Sequence, residues 1–92
     1  MKQILILPSF ERSIKKLTVQ EKKLLSKSLE QFNSFLIYGQ VPAGFGFKKI
    51  NHDKYEFRVD IRLRVVVKVD GGDYYLVLVG NHEDIRRYLK SV

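Results

Sequence analysis

A chain of 92 residues, 45% hydrophobic and 12% aromatic, has apolar content enough for one core and too little length for two, so residues 1–92 are read as a single globular domain. The formal net charge of +7 favours polyanionic partners, nucleic acid first and acidic protein segments second, through attraction that acts before specific contact. With no cysteine, disulfides, thiol catalysis and thiolate metal sites are excluded, which suits a reducing cytosol.

The N-terminus runs Ile4-Leu5-Ile6-Leu7 before Pro8, an apolar stretch far short of the roughly 20 residues a membrane helix needs. It also lacks the small-residue cleavage site of a signal peptide, so a soluble cytoplasmic protein with no membrane partner is expected. These four residues read instead as a short buried strand that Pro8 ends, because proline donates no ladder hydrogen bond. Ser9 is placed to cap a first helix carrying Phe10, Ile14 and Leu17. Thr18-Val19-Gln20-Glu21 supplies a capping box for a second helix, whose Leu25, Leu29, Phe32 and Leu36 share one stripe opposite Lys22, Lys23 and Lys27. Gly39 and Pro42 stop that helix, and the pair is expected to form an antiparallel helical hairpin.

Val41 to Gly46 reads as a loop punctuated by glycine and proline. From Lys54 the apolar period changes to two. Tyr55, Phe57 and Val59 alternate with Glu56, Arg58 and Asp60, and Leu63, Val65, Val67 and Val69 follow in the same rhythm. Asp70-Gly71-Gly72-Asp73 is a tight-hairpin sequence, since glycine tolerates the positive φ of primed turns, and Tyr74 to Val79 completes a three-stranded meander. Asn81 caps a short last helix with Ile85, Tyr88 and Leu89, acidic residues in its first turn and Lys90 in its last. The fold class is therefore α+β: an N-terminal strand and a helical hairpin packed on a mainly antiparallel β-sheet with a C-terminal meander and a short terminal helix.

One register satisfies both hairpins. It pairs Phe57 with Val65 and Tyr55 with Val67 on an apolar face, and Val69 with Tyr74, Val67 with Leu76 and Val65 with Leu78 across the second turn. The other face, expected to stay at least partly open, then pairs Arg58 with Arg64, Lys68 with Tyr75, and Arg64 with Val79. Two arginines directly opposed repel unless an anion lies between them. With His82 beyond the third strand they form a basic, titratable cluster of the kind that holds a phosphate. The alternative is that Glu56 and Asp60 neutralise the arginines as ordinary pairs. Lys48, Lys49 and Lys68 are candidates for tracking a nucleic-acid backbone, and Tyr88 for stacking on a base or simply packing; His52 reads as a solvated loop residue. No phosphate-loop or dinucleotide-type glycine pattern occurs, and two histidines without clustered acids make no metal site, so neither cofactor nor metal is expected.

Over Lys48 to Leu89, the segments Tyr55-Glu56-Phe57-Arg58-Val59, Leu63-Arg64-Val65-Val66-Val67 and Val79-Gly80-Asn81-His82-Glu83-Asp84-Ile85, with Tyr88 following, resemble the RelE/ParE superfamily of toxins. The resemblance implies the toxin of a type II toxin–antitoxin pair, a cognate antitoxin as partner in a hetero-oligomer, and, for RelE-like members, metal-independent cleavage of mRNA on the ribosome. By the same resemblance Arg64 matches a phosphate-contacting strand arginine, Arg58 a catalytic basic position, His82 the place of an arginine in RelE-like and a catalytic histidine in YafQ-like toxins, and Tyr88 a tyrosine that orients the RNA. Glu56 stands where RelE has a lysine, and is a candidate general base. The alternatives are a ParE-like inhibitor of DNA gyrase, or a non-catalytic module that binds RNA or antitoxin.

Overall fold

The side chain of Phe32, completely buried, is ringed by aromatic neighbours: Phe57 at 4.9 Å between ring centroids, Tyr74 edge-on at 5.7 Å, and Phe47 at 5.9 Å. Phe45 stacks in turn on Phe57 at 4.7 Å. Aromatic rings bury large areas with only two side-chain torsions to fix, and this cluster joins helix to sheet. The computed structural model describes residues 3–40 and 43–91. Along the chain run β1 (Ile4–Ile6), α1 (Pro8–Ile14), α2 (Val19–Tyr38), β2 (Lys48–Asn51), β3 (Lys54–Arg58), β4 (Arg64–Asp70), β5 (Asp73–Gly80) and α3 (His82–Lys90).

The sheet order is β1-β5-β4-β3-β2, with β1 parallel to β5 and the remaining pairs antiparallel. The α+β class and the meander follow the sequence pattern. Helices α1 and α2 cover one face: Phe10, Leu25 and Phe32 share a cluster with Phe57, Val65, Val67, Leu76 and Val79. The capping box at Thr18 forms, with Thr18 Oγ1 accepting from Glu21 N at 3.1 Å and Glu21 Oε1 from Thr18 N at 2.8 Å. Gly39 closes the helix; Val41 and Pro42, read as loop and stop, lie outside the described residues.

Three expectations are corrected. Pro8 opens α1 rather than preceding its cap, and Leu7 holds the cap position without a side-chain bond; proline suits this place because its missing N–H would have had no helical partner. Ser9 instead donates to the Val77 carbonyl at 2.6 Å, tying α1 to β5. A fifth strand, β2, forms at Lys48–Asn51, between the expected loop and the first expected strand of the meander, where the sequence pattern predicts no element; Lys48 and Lys49 charge the sheet edge, which discourages pairing with another chain.

The third correction concerns register. The β3–β4 pairing is as expected, Phe57 opposite Val65 and Arg58 opposite Arg64. In β4–β5, however, Val67 opposes Leu76 but Val66 opposes Leu78, so Val77 is an extra residue in a bulge. Beyond it every partner moves by one: Val65 meets Val79, and Arg64 meets Gly80 rather than Val79. The second sheet face, expected to stay at least partly open, is partly covered. Helix α3 covers part of it, with Ile85 buried against Val66 and Val77 and with Ile50, Leu78, Tyr88 and Leu89 around them.

The bulge brings Gly80 to the face under α3. A methyl group there would lie 2.7 Å from Asp84 Cβ and 2.8 Å from Asp84 Oδ2, closer than atoms approach without displacement. Asp84 completes the α3 capping box, its Oδ2 accepting from Asn81 N at 3.0 Å while Asn81 Oδ1 accepts from Asp84 N at 2.8 Å. Gly80→Ala is therefore expected to push Asp84 out of the cap and destabilise the protein by ~1–2 kcal/mol. Urea denaturation of the two proteins measures the difference, and a change near zero would show that α3 accommodates the methyl by a shift.

Candidate active site

On the α3 side of the sheet, β3 presents Lys54, Glu56 and Arg58 and β4 presents Arg64, Val66 and Lys68, because successive strand residues alternate between faces. Glu56 lies opposite Lys48 of β2 on one side and Val66 of β4 on the other. Its side chain runs diagonally to Arg64, where Oε2 meets Nε at 3.0 Å. With Glu56 only 8% exposed, the pair is shielded from the solvent screening that weakens surface ion pairs. The neutralising alternative raised from sequence thus holds for Glu56 and Arg64. It does not extend to Asp60, whose Oδ1 accepts from Arg62 N at 2.8 Å and Leu63 N at 2.7 Å to shape the β3–β4 turn. Arg58, exposed and directly across the ladder from Arg64, has no ion pair among the described residues.

Helix α3 brings the other half of the site. Its capping box starts the helix at His82, and Ile85 anchors it to the sheet. Residues four apart lie on the same helical side, which aligns His82, Arg86 and Lys90. All three line a groove of about 390 Å³ with Lys48, Ile50 and Glu56 from the sheet and Ile85 and Leu89 beneath. One wall is cationic, the floor is apolar, and a single carboxylate lies within. Arg86 Nη2 is 3.1 Å from His82 Nε2, and Arg86 Nη1 is 3.4 Å from Glu83 Oε1.

The candidates from sequence therefore divide. Lys48, Glu56 and His82 share the groove, and Arg64 joins them through Glu56. Arg58 is opposite Arg64 in the ladder but does not line the groove; its side chain borders a separate pocket with Lys27, Ser28 and Gln31 of α2. Lys49 pairs with Tyr55 at the edge, away from the groove, and Lys68 lies further along β4 beside Lys54 and Tyr75. At that end Lys54 Nζ, 3.1 Å from Asp53 Oδ1, holds the Asp53 carboxyl below its ordinary range. Tyr88 packs on the Val66–Val77–Ile85 cluster and borders a second cavity, of about 540 Å³, between α1 and α3. Sequence reasoning missed Arg86 and Lys90 as site residues; their spacing of four and eight from His82 was the available signal. Among the described residues no group of three His, Asp or Glu side chains is arranged for a metal ion, and no helix is long and apolar enough to cross a membrane.

Removing the carboxylate while keeping the volume, as in Glu56→Gln, leaves Arg64 without its counter-charge and opposite a second arginine. The expected loss is ~1–3 kcal/mol. A double-mutant cycle with Arg64→Met measures the coupling by denaturation; additive single effects would mean that the pair contributes nothing to stability.

No family model matches the chain, and no curated protein matches it in sequence. Solved structures do match in fold. A chain of the RelB–RelE antitoxin–toxin complex of Methanococcus jannaschii superposes with TM-score 0.69 at 19% identity, over 91% of this chain and 96% of that one. YafQ of E. coli BL21(DE3) gives 0.68 at 13%, over 92% and 98%. YoeB of Staphylococcus aureus, solved as a dimer, gives 0.65 at 20%, over 88% and 97%. The three-helix, five-stranded architecture, over nearly the whole chain, is the fold of the RelE-, YafQ- and YoeB-type toxins.

Proposed function

We propose that this protein is the toxin of a type II toxin–antitoxin pair and acts as a ribosome-dependent mRNA endoribonuclease. The observation that carries the reading is the grouping of Glu56, Arg64 and His82 on the α3 side of the sheet, with Arg58 opposite Arg64 in the ladder, within a fold shared with RelE, YafQ and YoeB. Opposed arginines are costly without an anion. Of the two, Arg64 alone has an ion pair among the described residues, and the phosphodiester is the anion that satisfies Arg58.

In the proposed reaction the RNA 2′-oxygen attacks the adjacent phosphorus, forming a bond there as the bond to the 5′-oxygen breaks. The products are a 2′,3′-cyclic phosphate and a free 5′-hydroxyl. Arg58 and Arg64 bind the non-bridging oxygens and stabilise the charge that builds on them. His82 gives a proton to the leaving 5′-oxygen. Glu56 takes the proton from the 2′-hydroxyl; since Oε2 is held by Arg64, this role falls to Oε1. The ion pair fixes the carboxylate and guanidinium relative to each other, so both meet the substrate already oriented. No step needs a metal or cofactor. Lys48 lines the groove and supplies backbone attraction, joined from outside it by Lys49 and Lys68; Tyr88, on the far flank of α3, reaches RNA only from that side.

The partners in this reading are mRNA on the ribosome and a cognate antitoxin, as RelE and YafQ are found with RelB and DinJ in their complexes. The Glu56–Arg64 pair favours a second reading as well, in which the neutralised site binds RNA and leaves it intact. Toe-printing of mRNA in a translating extract separates the two. Cuts are expected with the wild-type protein, reduced ~10²-fold or more by His82→Ala and by Arg64→Ala. Bound but uncut mRNA would establish the second reading, and inhibited gyrase supercoiling with untouched mRNA would move the assignment to the ParE-like class.

A further inference from the structure

At the end of β3 a pocket of about 210 Å³ opens between the sheet and α2. Lys27, Ser28 and Gln31 line it from one side of the helix, and Arg58 lines it from the strand. The chain at Gly44 and Phe45 borders it; Phe45 O accepts from Arg58 N at 2.7 Å, and the Arg58 stem lies along Gly46. Ser28 is only 4% exposed, in the buried stripe of α2 with Leu25 and Phe32. A helical serine in such a place can return its hydroxyl to a carbonyl of its own helix, as Ser13 does to Phe10 O at 2.7 Å. Ser28 Oγ makes no hydrogen bond among the described residues. Every described side-chain N or O that is fully closed off from solvent has a partner, so this hydroxyl opens on the pocket it lines. Lys27 and Arg58 also have no ion pair among the described residues, and no described carboxylate lines the pocket.

We propose that Lys27, Ser28, Gln31 and Arg58 form a second anion site, separate from the groove under α3, that takes a phosphate group. The donors are of four kinds: an ammonium, a hydroxyl, a carboxamide and a guanidinium fork. They come from two elements, so they meet a ligand from two sides rather than along one edge. A carboxylate offers two oxygens in one plane and leaves part of this set unanswered. A tetrahedral phosphate presents oxygens in several directions, and its charge meets both cations. The buried Ser28 hydroxyl gains the partner it lacks. Arginine carries five N–H donors, so an anion held here leaves part of the Arg58 fork for a phosphate at Arg64. The backbone of a single-stranded nucleic acid and a free phosphate compound share this chemistry. The site goes beyond the cleavage reading and does not require it, because Lys27, Ser28 and Gln31 take no part in the proposed reaction.

Amide spectra of the full-length protein test this at constant ionic strength. Inorganic phosphate is added in one series, and in another a single-stranded thymidine oligodeoxynucleotide without terminal phosphates. Saturable shifts are expected at Ser28 and Gly44. Followed at Gly44, the apparent affinity should fall about fivefold or more in Lys27→Gln and about threefold in Ser28→Ala, since each loses a donor to a charged group. Lys22→Gln, the same charge change on another side of α2, should alter it by less than about twofold. Lys27 is exposed and Ser28→Ala removes a single oxygen, so both variants keep the fold, which the dispersion of the amide spectrum verifies. A tighter response to the oligonucleotide assigns the site to nucleic-acid backbone, and a response to inorganic phosphate alone assigns it to a small phosphate compound. Three results overturn the proposal: no saturable shift at Ser28 and Gly44 with either probe, equal weakening in Lys22→Gln and Lys27→Gln, or an oligoaspartate peptide that moves the same amides as strongly. The oligonucleotide lacks the 2′-hydroxyl, so the measurement needs no turnover. Uncut mRNA in the translating extract sinks the cleavage reading and leaves this site standing, while cut mRNA with no response at Ser28 does the reverse.

Discussion

The single extra residue in β5 is the constraint on which the rest of the molecule's working side depends. Without the bulge at Val77, strict alternation puts Val79 opposite Arg64 and a bulky side chain beneath the start of the last helix. With it, Val79 enters the aromatic-rich core, Val77 and Leu78 both serve the smaller cluster under α3, and Gly80 arrives beside Arg64. A bulge disrupts the ladder locally and increases twist. That cost is met by burial on both faces and by the hydrogen bond from Val79 N to Ser13 Oγ at 3.0 Å, which ties the end of the strand to α1. The absence of a side chain at Gly80 is then what lets the α3 cap seat against the sheet.

From that seating follows the groove. Helix α3 is short, and nine residues form no stable helix alone in water; it depends on its capping box and on Ile85. The same capping residues set its first turn, so His82 is held at a defined height above the sheet while Arg86 and Lys90 continue the line. The cations thus lie along one wall opposite Lys48, with an apolar floor that supplies no competing counter-charge. Glu56 is the exception, and its burial explains its partner: a carboxylate withdrawn from water is costly unless a charged hydrogen-bond donor meets it. Arg64 is that donor. One carboxylate among so many cations organises the cluster without cancelling it, and Arg58 keeps its charge for a ligand.

Much of this was legible in the amino-acid order. The strand period of two, the Asp-Gly-Gly-Asp turn, the Thr18 and Asn81 caps and the stripe of Leu25, Leu29, Phe32 and Leu36 are local signals, each set by backbone geometry within a few residues. They predicted the architecture and the Arg58–Arg64 opposition, because the β3–β4 turn is short and its register follows from local alternation. The cluster of Arg64, Glu56 and His82 was visible for the same reason: two hairpins and a helix start put these residues near one another.

What tertiary structure alone decided was the fate of each charge. Alternation is blind to a bulge, because an extra residue leaves the hydrophobic pattern of Val77-Leu78-Val79 intact while reversing which of them faces the core. Edge strand β2 has no period to read in Lys48-Lys49-Ile50-Asn51, and forms because β3 offers an unpaired edge. Whether Glu56 neutralises Arg64 or stays free depends on side-chain reach across a diagonal, and whether Tyr88 meets the groove depends on the rotation of α3 about its own axis. The sequence by itself determined the order of elements and which charged residues share one side of the meander; the three-dimensional packing decided that Arg64 pairs with Glu56, that Arg58 has no ion pair among the described residues, and that Arg86 lies against His82, because those outcomes rest on side-chain reach and distances between elements that no local pattern encodes.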